Sequence, residues 1–139
     1  MLIPRITKPS SQPDKVFVIC TNDEASTTLV NGDVVIWQTT TPKNYGSSVL
    51  KSTASANLIT LAGVISGRDI APGDTGLMQV YGYHPSVKSG TSTAGVSQKS
   101  VATVGTAGDG AAADGPAEYL GVCLKATASS RAGILIQKM

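Results

Sequence analysis

Apolar residues in this chain come in short runs of β type, and helical spacing is absent. The run that organises the others lies between Asn57 and His84. Leu58, Ile59, Leu61, Val64 and Ile65 form one apolar segment with Gly63 inside it. Ala71-Pro72-Gly73-Asp74 then supplies Pro where a turn fixes φ near −65° and Gly where a type II turn needs positive φ. In the following LMQVYGYH, alternation puts Met78, Val80 and Gly82 on one face and Leu77, Gln79, Tyr81 and Tyr83 on the other. Both faces are largely apolar. The pattern predicts a strand covered on two sides, by the core and by a neighbouring subunit.

Further strands are predicted at Val16–Thr21, Val34–Gln38 after the Asn31-Gly32 turn signal, Tyr119–Lys125 and Gly133–Lys138. Thr39 to Ser55 reads as a long loop. Residues 85–117 are rich in Gly, Ala, Ser and Thr and offer at most weak strands near Ala94–Val96 and Val101–Val104. So long a loop is unusual in a compact domain, so the section either hides strands or is displayed at a surface. The hairpin pattern of Leu61–Val80 echoes in Tyr119–Ile136, with Gly63 and Gly121, and Gly76 and Gly133, about 58 residues apart. Two similar hairpins packed in a barrel or sandwich follow from it. The expected fold is all-β: a small barrel or sandwich with an extended N-terminal arm, residues 1–15, and a single β domain, residues 16–139.

The arm holds Pro4, Pro9 and Pro13 and little periodicity. It reads either as a leader without structure or as a segment that orders on a partner, and the second is favoured by three aliphatics set among the prolines. Its candidate contact residues are Leu2, Ile3, Arg5, Ile6 and Lys8.

At 139 residues the chain is one domain, with charged residues at 14% and a net charge of +2. The charges are scattered and no basic cluster alternates with aromatics, so nucleic acid is not an expected partner. No apolar run has the length of a membrane helix, and the start lacks the apolar core of a signal peptide. The expectation is a soluble protein made in a cytoplasm. Cys20 and Cys123 each sit within apolar runs and read as buried thiols, although spacing leaves a disulfide open.

Candidate chemistry is sparse. Asp74-Thr75-Gly76 spells an aspartic-protease triplet, but Asp74 follows a Pro-Gly turn where that chemistry needs a buried, paired carboxylate. His84 is the sole histidine and reads as a polar group at a strand end before Pro85. Gly105–Gly110 lacks the Gly-Lys-Ser/Thr of a phosphate loop, and Asp109 and Asp114 lack calcium-loop spacing. No catalytic, metal or cofactor residue is assigned, and the chain reads as a non-enzyme.

The succession GDVV (Gly32–Val35), LAGVISGRDIAPGDTGLMQVYGY (Leu61–Tyr83), a small-residue section, AEYLGVCLKA (Ala117–Ala126) and RAGILIQ (Arg131–Gln137) resembles the small capsid decoration, or cement, proteins of tailed bacteriophages. The likeness spans about residues 30–138 and leaves out the N-terminal arm. It implies a β-barrel or sandwich bound to the outside of an icosahedral head, with the major capsid protein as partner and a homotrimer as the common state. Leu77, Tyr81 and Tyr83 are the candidate oligomer interface. The competing expectation is a trimeric tail-fibre or surface carbohydrate-binding module, against which stands the low aromatic content of 4%.

Overall fold

A computed structural model describes residues 14–53, 61–101, 105–110 and 119–138. It is all-β. The strands are β1 (Val16–Asn22), β2 (Val34–Trp37), β3 (Ser48–Lys51), β4 (Leu61–Ser66), β5 (Thr75–Lys88), β6 (Ser97–Ser100), β7 (Ala107–Asp109), β8 (Tyr119–Ala128) and β9 (Arg131–Gln137). Their order is β1-β3-β2-β4-β5-β9-β8-β6-β7, with a further β1–β5 pairing. That pairing closes the first five strands into a barrel. Every contact in it is antiparallel except β1–β3, where Thr21 lies beside Ser48.

The rest of the chain repeats this ring. The C-terminal half of β5 acts as a new first strand, followed in space by β7, β6, β8 and β9. The closing step is again parallel: Ser89 bridges Ala107, and the Gly90 N–H donates to the Ala107 carbonyl at 3.0 Å. The registers match residue for residue. Val35 faces Gly63 and Ile36 faces Leu61, with a register shift between Val35 and Ile36. Gln98 faces Gly121 and Lys99 faces Tyr119, with the shift between Gln98 and Lys99. The turns entering the rings also agree. Gly32 N–H donates to Ile65 at 2.8 Å and Gly95 N–H to Cys123 at 2.7 Å, both glycines at positive φ, +89° and +83°. The fold is thus two five-stranded rings of one topology that share the long strand β5.

Two cores result. Cys20, Leu29, Val35, Val49, Ala62, Ile65, Ile70, Met78 and Val80 fill the first ring. Val87, Ala107, Leu120, Cys123, Ala132, Ile134 and Ile136 fill the second, and Val34, Ile36, Leu61 and Val64 join them. Neighbours along β2 and β4 therefore alternate between cores. This explains their unbroken apolar runs: the two strands form a wall buried on both faces.

The sequence echo is faint because the second interior is partly polar. At the positions of Leu29 and Ile70, which bridge each other in the first ring, the second has Ser92 and Thr127, joined by the Thr127 N–H to the Ser92 carbonyl at 3.0 Å. Gln98 stands at the place of Val35. These groups satisfy one another: the Ser92 hydroxyl donates to Gln98 Oε1, Ser89 and Thr127 hydroxyls meet at 2.8 Å, and Gln98 Nε2 donates to Asp109 Oδ1 at 2.9 Å. A buried polar set is tolerated when each member finds a partner.

Several expectations are adjusted. The loop read over Thr39–Ser55 contains β3, and the small-residue section contains β6 and β7, displaced from the weak strands expected there. Ser97–Ser100 and Ala107–Asp109 have poor β propensity and are held by pairing to their neighbours. Strand β5 does not end at His84. It continues past Pro85 because the register shifts between His84 and Val87, a bulge where the missing proline N–H breaks no ladder. Of the two glycine matches, Gly63 with Gly121 holds. Gly76 faces Cys20 while Ala132 faces Val87, so the counterpart of Gly76 is Ala132.

The Pro72-Gly73 corner is the turn expected. Gly73 has φ +83°, and Asp74 N–H returns to Ala71 O at 3.0 Å. Asp74 is exposed. Both cysteines are buried free thiols, with burial pushing the Cys20 thiol up to about 11.

Candidate interaction surface

Among the described residues, the outer face of the first barrel is covered by the second ring over β2 and β4 and left open over β5 and β1. Pairing fixes what lies there. Leu77 faces Ile19 on one side and Ser66 on the other. In the next row Gln79 lies between Phe17 and Val64, and Tyr81 faces Val16 beyond it. Ile19 is 67% exposed, Leu77 46%, Phe17 42% and Tyr81 36%. Gln79 in their midst is buried, its amide donating to the Tyr81 carbonyl at 3.2 Å. Four large apolar side chains on adjacent strands make a continuous uncovered patch that runs into the second core through Val64.

Of the three residues expected at an interface, Leu77 and Tyr81 belong to this patch. Tyr83 shares their side of β5 but is half-buried, its hydroxyl lying over Gly133, where an added Cβ would come within 2.3 Å of it. Phe17 and Ile19 were not anticipated. In VFVIC every residue is apolar, so alternation alone cannot tell the inward pair Val18 and Cys20 from the outward pair.

The arm candidates Leu2, Ile3, Arg5, Ile6 and Lys8 lie outside the described residues. The chain enters at the junction of the rings: Gly82 sits at φ +95°, and a Cβ there would meet the Asp14 carbonyl at 2.3 Å. Position 82 thus requires glycine both for its conformation and for the crossing chain. The described chain begins there, with Asp14 and Lys15 against Gly82.

Beneath the junction lies a charge cluster. Asp33, 1% exposed, accepts the Val30 N–H at 2.8 Å and pairs with Lys88 at 2.5 Å and Lys51 at 3.2 Å. Its two ammonium partners come from the first ring and from the shared strand, so the carboxylate ties the rings together. His84 is buried close by. Its Nδ1 accepts the Ser86 N–H at 3.2 Å, and it bonds the Ile65 backbone. Desolvation, with Lys15 and Arg131 nearby, pulls its pKa down to about 4. Among the described residues, no group of three or more His, Cys, Asp and Glu is placed to hold a metal ion, and no helix is long and apolar enough to cross a membrane.

These features define a small all-β module of two strand-sharing rings with one apolar face uncovered. A solved structure is similar in fold: the head fiber gp8.5 N base of bacteriophage phi29, with a TM-score of 0.55 at 12% sequence identity, the match covering 90% of this chain and 96% of that one. At that identity the likeness is one of fold. No family model matches the sequence, and no curated protein matches it.

Proposed function

We propose that this chain is a structural protein of a tailed-phage virion that attaches to the outer surface of the capsid as a homotrimer and stabilises the shell. Three things support the reading: the sequence resemblance to decoration proteins, the fold shared with a phage head fiber base, and the uncovered face of Phe17, Ile19, Leu77 and Tyr81. The last carries it. Side chains of this kind gain about 1.5–3 kcal/mol each when fully buried, so a soluble module that leaves four of them together is built to be covered. The trimer buries this face, and the N-terminal arm reaches the major capsid protein. Three arms on one oligomer act at high effective concentration, which compensates for the ordering cost of each.

Two measurements test this. Ile19→Lys places a charge in the subunit contact, and the variant is expected to sediment as a smaller species than wild type in analytical ultracentrifugation while keeping its β spectrum. A wild type that is monomeric at high concentration, free and on particles, would overturn the trimer. Removal of residues 2–13 is expected to leave the melting temperature unchanged and to weaken co-sedimentation with phage heads. If the truncated protein decorates heads as well as wild type, the contact lies in the β domain.

A further inference from the structure

At the end of the second ring, where the β8–β9 turn approaches the exit of β5, lies a cleft of about 540 Å³. We propose that it binds a phosphate ester of a small polyol or sugar. Its walls include Lys88, Arg131, Thr106, Ser129 and Ser130, and among the described residues no carboxylate lines it. The acidic group paired with this wall, Asp33, is buried behind Lys88. It pairs with two cations, Lys51 and Lys88, and Arg131 stands on the cleft wall beside Lys88, so positive charge is in excess at the cleft among the described residues.

The cations are held in place. Arg131 Nη1 donates to the Asn31 carbonyl at 2.8 Å and the Ser86 carbonyl at 3.0 Å, which orients the guanidinium before any ligand arrives. Lys88 is tethered by Asp33. A preset guanidinium beside an ammonium and hydroxyls matches an oxyanion with several acceptor oxygens.

The turn gives a second, independent pointer. Ser129 and Ser130 both have positive φ, +50° and +58°. Two-residue hairpin turns of that conformation favour Asn-Gly, because side chains are strained there. The matching corner of the first ring places Gly73 at positive φ. Here the strain is retained and two exposed hydroxyls are set on the rim of the cleft, and strain of this sort collects at binding sites. Gly90 completes the opening: a Cβ there would meet nothing within 4 Å, so no packing demands a glycine. The volume exceeds what one oxyanion fills and falls in the range of small-ligand sites. A polyol attached to the phosphate would occupy the remainder, along Thr106 and the serine hydroxyls.

The test is an NMR titration of the full, isotope-labelled chain at fixed ionic strength with glycerol 3-phosphate, inorganic phosphate, acetate and glycerol. Glycerol 3-phosphate is expected to shift the amides of Gly90, Ser130 and Arg131 saturably, inorganic phosphate to shift the same amides more weakly, and acetate and glycerol to leave them in place. The double variant Ser129→Asn, Ser130→Gly relaxes the turn, so it folds and melts higher, yet it should bind about fivefold or more weakly, as befits lost hydrogen bonds. Lys88→Gln, checked for folding by its spectrum, should weaken binding as well. The proposal is overturned by any of three results: no saturable shift up to about 20 mM ligand, where even a weak site would fill; equal binding by the double variant; or acetate acting like phosphate.

Discussion

Gly121→Ala is expected to destabilise the fold by about 3–5 kcal/mol, the range of severe overpacking and strain. An added Cβ at Gly121 would lie 1.9 Å from the Leu135 carbonyl oxygen and 2.8 Å from its carbon. Both are backbone atoms of the paired strand, and neither can rotate away as a side-chain tip would. The strands would have to separate where Gly121 faces Ile136, beneath the second core. The same contact recurs in the first ring, where a Cβ on Gly63 would meet the Gln79 carbonyl at 2.5 Å and Met78 Cγ at 2.9 Å. Gly63→Ala should therefore cost less than Gly121→Ala but clearly more than Gly90→Ala, where there is open space. Chemical denaturation of the three variants checks the order. Equal midpoints for Gly121→Ala and Gly90→Ala would show that the close approach is not a constraint.

Stability is expected to fall by about 2 kcal/mol between pH 7 and pH 5 through His84 alone, from the linkage of its two pKa values. In the folded chain its pKa is about 4, against 6.5 for the exposed group. The sign follows. Above pH 6.5 the imidazole is neutral in both states and its contribution is fully present. As pH falls, the unfolded chain takes up the proton first, so unfolding is favoured progressively until the folded His84 also protonates near 4, for a total on the order of 3 kcal/mol. The charges that face it, Lys15 and Arg131, are cations that oppose protonation. His84→Gln cannot titrate and should flatten the pH dependence between 7 and 5, above the range where most carboxylates protonate. Denaturation midpoints of both proteins across that window decide it. Parallel curves would mean that His84 is solvated in the folded state.

The all-β class, and most strands with strong apolar character, were legible because Val, Ile and Leu in short runs carry their own signal. The Pro72-Gly73 turn was legible for a local reason as well: φ constraints belong to the residue. The faces of β5 could be assigned because Gln79 and the glycines break the run, which brought Leu77 and Tyr81 forward. Phe17 and Ile19 carried no such mark. They became part of the surface only when antiparallel pairing set Ile19 opposite Leu77.

What the chain alone determined is therefore local: strand-forming runs, the corner at Ala71–Asp74, glycines where backbones crowd, and the scarcity of chemistry-bearing side chains. Tertiary structure decided the rest. The polar strands β6 and β7 exist because neighbouring strands supply their hydrogen bonds, an energy that no residue in SQKS or AGD announces. The repeat is written in register and bulge position, not in residue type, because Ser92, Gln98 and Thr127 solve by hydrogen bonding what Leu29, Val35 and Ile70 solve by apolar packing. Burial of His84 and the gathering of Lys51 and Lys88 on Asp33 join residues far apart in sequence. Such long-range contacts set pKa values and exposed faces, and they form only when both rings close.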